Sequence, residues 1–549
     1  MAGPLTINGL VESSVRRYAQ RPALSMAFAK PLSYVALGET INILSAALAA
    51  KGVKRGERVA ILAENSPNWG VAFLAVTAIG AIAVPILPDF TEGDVRHIVR
   101  DASVSWVFTT KRQIEKILDC GSDVIKAIFT TDDSELAHLG PVETFSSILA
   151  YGSRLPLAGL DALGPLPGDT AVIIYTSGTS GHSKGVMLSH VNICTNVGSA
   201  QQIIAISPGA TFLSILPLSH AYEFTLGFVL PLAHGCRVVY SDKAPTPAVM
   251  EAICRQERPE VICAVPMIMD KIYKKRVLPV IDANFWLRQL QRFPWGRRVV
   301  RRKIGARLAD FFGGKLKVMA IGGAALNIET EIFLREARFP YMVGYGMTET
   351  SPLLAAGPLA DPSVAIGSVG PPVPGVELRI ADPDPLTGIG QIMARGHNVM
   401  QGYYQNPELT AETIDTDGWL ATGDLGLFDE RGNLHIKGRS KCVIVLAHGE
   451  NVYPEVVEEK INACMQVVES LVVERNGRLE ALVYLDYDLV DLAKGNQDAQ
   501  RQTIQRLLAE IKDTVNRKLP GYSRVHTVSE RTEPFVKTPT YKIKRCLYQ

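Results

Sequence analysis

The chain has 549 residues, with 57 Lys and Arg against 55 Asp and Glu, for a formal net charge of +2. With 47% apolar and 20% charged residues, the composition is globular and excludes wholesale disorder and wholesale nucleic-acid binding. At roughly 100–200 residues per domain, two or more cores are expected.

The N-terminal residues carry Glu12, Arg16 and Arg17 around a short amphipathic stretch. They lack the basic segment followed by an apolar one that marks a signal peptide. Helices are predicted at 40–51 and 68–79, and strands at 58–63, 81–86 and 104–108, an order that implies layered α/β sheets. Residues 69–87 are uncharged for 19 positions, close to the ~20 that span a bilayer. Gly80 and Pro85 interrupt that run and Asp89 closes it, so a buried helix entering a buried strand is predicted and no membrane span.

A Gly/Pro/Leu-rich passage at 155–168 reads as a linker before a strand at 171–175. Beyond 438 the pattern starts afresh, with strands at 443–446, 467–473 and 479–487 and helices at 454–465 and 499–518. The expected fold class is α/β: a large, multi-subdomain N-terminal domain (1–438), a joint at 439–441 and a small C-terminal α+β domain (442–549). Eight scattered cysteines without a C-x-x-C pair indicate neither a disulfide framework nor a zinc site, and fit a reducing cytoplasm.

The most informative segment follows the strand at 171–175. Thr176, Ser177, Gly178, Thr179, Ser180, Gly181, Ser183 and Lys184 crowd hydroxyls, glycines and one cation into a single turn. Glycine lets backbone N–H groups approach an anion, hydroxyls add donors, and lysine adds a point charge for a phosphate. A Walker A loop would need glycine before Lys184, where Ser183 stands. Gly-His-Ser-Lys-Gly at 181–185 fits the nucleophile elbow of serine hydrolases, but that motif explains one serine and calls for an oxyanion loop upstream that is absent. A surface linker would not sit between two apolar segments. The turn is read as a phosphate cradle.

Here the chain resembles the adenylate-forming superfamily of acyl-CoA synthetases, luciferases and peptide-synthetase adenylation domains. Seven further segments match in order: 216–223, 322–326, 344–352, 422–426, 438–441, 449–454 and 537–545. The resemblance implies use of ATP, Mg²⁺ and a thiol co-substrate, CoA or an acyl-carrier protein. It implies that Tyr345 lies on adenine, flanked by Gly323, Ala324, Gly344 and Gly346. Thr348 would hold the α-phosphate, Glu349 and Thr176 the Mg²⁺, Asp424 the ribose hydroxyls, and Arg439 the nucleotide nearby. Lys542 would be the adenylation lysine, Lys441 the hinge about which a mobile small domain rotates, and Gly449, Glu450 and Asn451 the thiol-tunnel loop. Tyr541 stands where the family usually has glycine, a feature of the long-chain fatty acyl branch.

That branch implies an apolar acyl tunnel bordered by His220, Phe224 and Gly322. Residues 271–303 hold eleven Lys/Arg against Asp282 alone, interleaved with Phe285, Trp286, Leu287, Phe293 and Trp295. The pattern suits either an anionic membrane surface or an ordinary solvated face; nucleic acid is disfavoured because the basicity is confined to one segment. The expected enzyme is a cytoplasmic fatty acyl-CoA ligase, monomer or homodimer, peripheral at most to the inner membrane face. The residual alternatives are a nucleotide- or lipid-binding relative without catalysis, and a serine hydrolase acting through Ser183.

Overall fold

The computed structural model describes residues 5–120, 125–136, 139, 142–176, 183–243, 245–283, 285–290, 292–357, 361–446, 450–487, 489–490, 497–538 and 543–548. The uncharged run is helix Pro67–Ala78 followed by strand Ile82–Pro85. Ser66 caps the helix by accepting a hydrogen bond from the Trp69 N–H, and Pro67 opens it. Gly80 ends it at φ +69°, a left-handed turn that glycine adopts without strain. The helix is buried on every face because it packs inside the protein; Trp69 stacks on Phe73 at 5.8 Å and meets Phe228 edge-on at 6.0 Å. Among the described residues no helix is long and apolar enough to cross a membrane. All eight cysteines are free.

The preceding helix begins at Tyr34 rather than at 40, since Ser33 caps it by accepting from the Ala36 N–H. Its two neighbours in the chain, Pro22–Met26 and Leu32–Ser33, form the edge of an eight-stranded sheet. That sheet continues through Arg237–Tyr240, Thr211–Ser214, Val261–Ala264, Val318–Ile321 and Tyr341–Gly346 to Leu353–Ala356, and is parallel except at its two ends. A second eight-stranded sheet runs from Gly402–Tyr403 through Lys184–Ser189, Thr170–Thr176, Ile82–Pro85, Arg58–Leu62, Trp106–Thr109 and Ala127–Thr130 to Val142–Thr144. A four-stranded antiparallel sheet carries Leu420–Phe428 beside Leu434–Arg439.

One core joins helices Tyr34–Ala50 and Pro67–Ala78 to both large sheets. A separate core runs from Val452 to Val525 under the sheet Val467–Arg475, Arg478–Leu485 and Thr527–Arg531, with helices Pro454–Asn462 and Gln497–Asn516 upon it. Thr176, Ile321 and Gly346 are the carboxyl-terminal residues of their strands, the end of a parallel sheet where α/β proteins open a ligand crevice.

Candidate active site

Strands Thr170–Thr176 and Lys184–Ser189 form an antiparallel hairpin in which Thr176 and Lys184 are register partners. Ser177, Gly178, Thr179, Ser180 and Gly181 lie outside the described residues. At the two flanks of that turn, the hydroxyls of Thr176 and Ser183 are buried with no hydrogen-bond partner among the described residues. A buried donor without a partner costs roughly 1–3 kcal/mol, so such hydroxyls fit an anion that would accept from them. His97 Nε2 lies 2.9 Å from the Ser183 carbonyl oxygen, holding the outgoing flank.

Lys184 turns toward the second strand of the site. Its ammonium donates to the Tyr403 hydroxyl at 2.5 Å, lies 3.8 Å from that ring's centroid and stands 3.6 Å from Glu349 Oε1. The Tyr403 hydroxyl in turn donates to Glu349 Oε1 at 2.9 Å. Burial lowers the Lys184 pKa, the Glu349 carboxylate opposes that shift, and the positive charges of Lys441 and Arg439 add to it. Burial and the same carboxylate push the Tyr403 phenol up, so it stays a neutral relay between cation and anion. Tyr403 is brought here because Gly402–Tyr403 pairs with Lys184–Ser189, Tyr403 opposite Val186.

Glu349 and Thr348 sit in the turn Thr348–Thr350, directly after the strand Tyr341–Gly346. Glu349 is buried and its carbonyl accepts from the Met400 N–H at 2.8 Å. Gly346 sets this turn, since a Cβ there would stand 1.9 Å from the Pro352 carbonyl oxygen. Tyr345 is buried, and its hydroxyl donates to Asp424 Oδ2 at 2.8 Å. The other carboxyl oxygen of Asp424 meets Arg439 Nε at 3.2 Å, the two residues being cross-strand partners. Burial, then the Asp424 charge, raises the Tyr345 phenol well above its ordinary value.

Gly323 and Ala324 are exposed beyond strand Val318–Ile321, with Gly323 at φ +87°. Gly322 is buried, and the space where its Cβ would stand ends 3.5 Å away at the Tyr222 ring. The Tyr222 hydroxyl donates to the Ala320 carbonyl at 2.9 Å, and its N–H to His220 Nδ1 at 3.3 Å. Phe224 lies deeper. It is fully buried, with its ring centroid 4.7 Å from Phe73 and 6.3 Å from Phe228. The aromatic side chain beside Gly322 is therefore Tyr222.

At the joint, Lys441 sits exposed in the turn Ser440–Cys442. Glu450 and Asn451 are exposed, and Gly449 lies outside the described residues. Lys542 also lies outside them; its flanks are held by Lys537 on Glu469 at 2.5 Å and by Arg545 on Glu458 and Glu455. Two residues of this geometry were not singled out from the sequence. Tyr222 stood inside a quoted segment and could have been chosen; Tyr403 lay in no pattern that points to phosphate chemistry.

A family model described as AMP-binding enzyme matches residues 11–404. A long-chain-fatty-acid–CoA ligase of Mycobacterium bovis is 30% identical over 560 residues, covering 93% of this chain and 90% of its own. The peroxisomal long chain acyl-CoA synthetase 6 of Arabidopsis thaliana is 28% identical, covering 94% of this chain and 79% of its own. Among solved structures, an anthranilate CoA ligase in complex with anthranoyl-AMP superposes with a TM-score of 0.80 at 20% identity, over 99% of this chain and 97% of that one.

Proposed function

The chain belongs to the AMP-binding enzyme family, an adenylate-forming family of acid–thiol ligases, and we propose that its acid is a medium- or long-chain fatty acid and its thiol CoA. The observation that carries the reading is the line Lys184–Tyr403–Glu349 at the mouth of a hairpin whose flanking hydroxyls, Thr176 and Ser183, have no partner among the described residues. A cation, an acid and two hydroxyls converging at one strand end suit a nucleoside triphosphate.

In the first step the fatty carboxylate oxygen would attack the α-phosphorus of ATP; the new P–O bond forms as the bond to pyrophosphate breaks. Positioning and charge neutralisation are what the protein contributes. Lys184, with the turn from Thr176 to Ser183, would hold the β- and γ-phosphates, and Thr348 the α-phosphate. Lys542 would meet the charge that develops on the α-phosphate, a role typically worth about 10²–10³ in rate. Tyr345 would lie against adenine between Gly323, Ala324 and Gly344, with Asp424 and Arg439 at the ribose. Hard oxygen donors from Glu349 and Thr176 fit Mg²⁺, which would neutralise the departing pyrophosphate.

In the second step the thiolate would attack the acyl carbonyl, forming the C–S bond as AMP leaves. The small unit, residues 442–549, would rotate about Lys441 between steps, withdrawing Lys542 and bringing Gly449, Glu450 and Asn451 to the thiol. His220, Tyr222 and Gly322 would border the acyl tunnel. We take the enzyme to work in the cytoplasm, with the exposed aromatics near Trp286 and Trp295 resting on the inner face of an anionic membrane.

ATP–pyrophosphate exchange across a series of saturated acids tests the first step, and addition of CoA or of an acyl-carrier protein tests the second. Lys542→Ala should abolish exchange yet still convert supplied acyl-adenylate when given the thiol. Normal exchange by that variant would remove Lys542 from the mechanism, and turnover with carrier protein alone would replace CoA as the acceptor.

A further inference from the structure

Several basic residues at 271–303 have partners within the protein rather than only solvent. Lys274, in the π-helical turn Tyr273–Val277, donates its ammonium to the carbonyls of Asn462 at 2.8 Å, Cys464 at 3.1 Å and Val467 at 2.9 Å. Asn462 ends helix Pro454–Asn462 and Val467 begins the next strand. One ammonium thus uses all three of its donors on the passage from the carboxyl end of a helix to the following strand in the C-terminal unit. The last carbonyls of a helix lack partners within it, and the helix dipole favours a cation there. Beside Lys274, Lys275 pairs with Asp486 at 3.0 Å, and Lys518 lies 3.9 Å from Glu329 across the same seam. Arg276 turns back onto the Phe311 ring, 4.8 Å away, and toward Glu251 at 3.6 Å.

A carboxyl on the same helical stretch also favours the charged form of Lys274. Asp270, one helical turn earlier, accepts from the Thr330 hydroxyl at 2.6 Å and raises the Lys274 pKa against the burial that lowers it. The large unit therefore presents a half-buried, oriented cation that makes three hydrogen bonds to the small one.

The orientation this contact holds can be read from the loops. Glu450 and Asn451 are exposed to solvent. Arg545, three residues past Lys542, is bound to Glu455, and Glu455 lies against Gly438, next to the Arg439 that pairs with Asp424.

We propose that Lys274 is a positioning residue that latches the small unit in the orientation for acyl-adenylate formation, and that it must let go before the thiol step. This rests on the reading of the chain as an adenylate-forming ligase with a rotating C-terminal unit. Rotation would draw the ammonium away from three carbonyls at once, so the latch biases the equilibrium between orientations without touching any substrate.

The test uses the full chain and its Lys274→Met, Lys274→Arg and Asp486→Asn variants. ATP–pyrophosphate exchange with a sixteen-carbon saturated acid reads one orientation, and single-turnover thiolysis of supplied acyl-adenylate by CoA reads the other. Trypsin nicking after the exposed Arg439 and Lys441 reads the joint without any activity. In Lys274→Met, exchange should fall roughly tenfold while thiolysis holds or rises, and nicking should quicken. Lys274→Arg should recover part of the loss. Asp486→Asn should show the same pattern more weakly, and it decides the matter if Lys274→Met does not fold. Equal losses in both half-reactions, or no change in exchange and nicking, overturn the latch. If the unsubstituted chain performs neither half-reaction, the functional reading fails; nicking then decides the latch alone, with faster nicking in Lys274→Met supporting it and an unchanged rate refuting it.

Discussion

Lys184 meets Tyr403 across 219 positions of sequence, its ammonium 2.5 Å from the phenol oxygen and 3.8 Å from the ring centroid. The ring and the hydroxyl therefore fix where the cation stands, and the hydroxyl passes that restraint on to Glu349 at 2.9 Å. Tyr403→Phe keeps the ring and removes both hydrogen bonds. Bonds to charged groups contribute about 1.5–3 kcal/mol each, part of which water restores. We expect the KM for ATP to rise about tenfold with little change in melting temperature. An unchanged KM would show that Lys184 is positioned by the ring alone.

Asp424 holds Tyr345 with one oxygen and Arg439 with the other. Asp424→Asn keeps the shape but removes the charge. It should weaken nucleotide binding about tenfold or more, with the larger loss for ATP than for an analogue lacking both ribose hydroxyls. Equal losses for the two nucleotides would place the carboxylate away from the ribose.

A Cβ at Gly322 would stand in ordinary contact, 3.5 Å from both the Tyr222 ring and the Gly344 carbonyl oxygen. Alanine fits that distance, whereas leucine must compete with whatever occupies the space. Gly322→Leu should therefore shift the preferred saturated acid toward shorter chains, since each CH₂ excluded forfeits about 0.8 kcal/mol. Gly322→Ala should leave the profile nearly unchanged. A chain-length panel that does not move in Gly322→Leu would put the acyl tunnel elsewhere.

Glu223 lies at the start of the π-helical segment Glu223–Val229, fully buried. The Ser214 hydroxyl approaches it without completing a hydrogen bond, and burial pushes its pKa from 4.5 up to about 8. Tyr222, Tyr240 and Cys263 beside it are kept neutral by burial too. Between about pH 4.5 and 8 the folded chain keeps a proton that the unfolded chain has released. This group's contribution is thus full below pH 4.5 and declines as pH rises through the folded value. Glu223→Gln should flatten that decline, raising the melting temperature at pH 8 relative to pH 5 when each is compared with the unsubstituted chain. Parallel melting curves across the range would exclude it.

Trp286 is 78% and Trp295 65% exposed, with Phe285 and Phe293 open beside them. Arg297 and Arg301 are engaged by Glu336, while Arg298, Arg302 and Lys303 remain at or near the surface. Co-sedimentation with anionic vesicles should fall when Trp286 and Trp295 are both replaced by serine, and when salt is raised. Binding indifferent to both changes would leave an ordinary solvated face.

Much of this was legible in sequence where chemistry is local. The helix Pro67–Ala78 and the turn that follows the strand Thr170–Thr176 announce themselves through breakers and clustered hydroxyls. The place of Tyr403 was not, because strand pairing alone brings it to Lys184. Nor was the burial of Phe224, since a π-helix turns side chains by a period that neither helix nor strand patterning anticipates. For residues 271–303, composition fixes the sign of the charge but not its partners. Lys274 reads as one more basic residue until three carbonyls are found around it.

Because Thr176 and Lys184 face each other across two paired strands, the sheet fixes both ends of the seven-residue segment between them. If that segment holds the nucleotide as proposed, alterations within it would change the grip while the two paired strands stay in register. Selection or engineering could retune affinity there while foldedness stays constant, a division of labour that a loop spanning two distant elements would not permit.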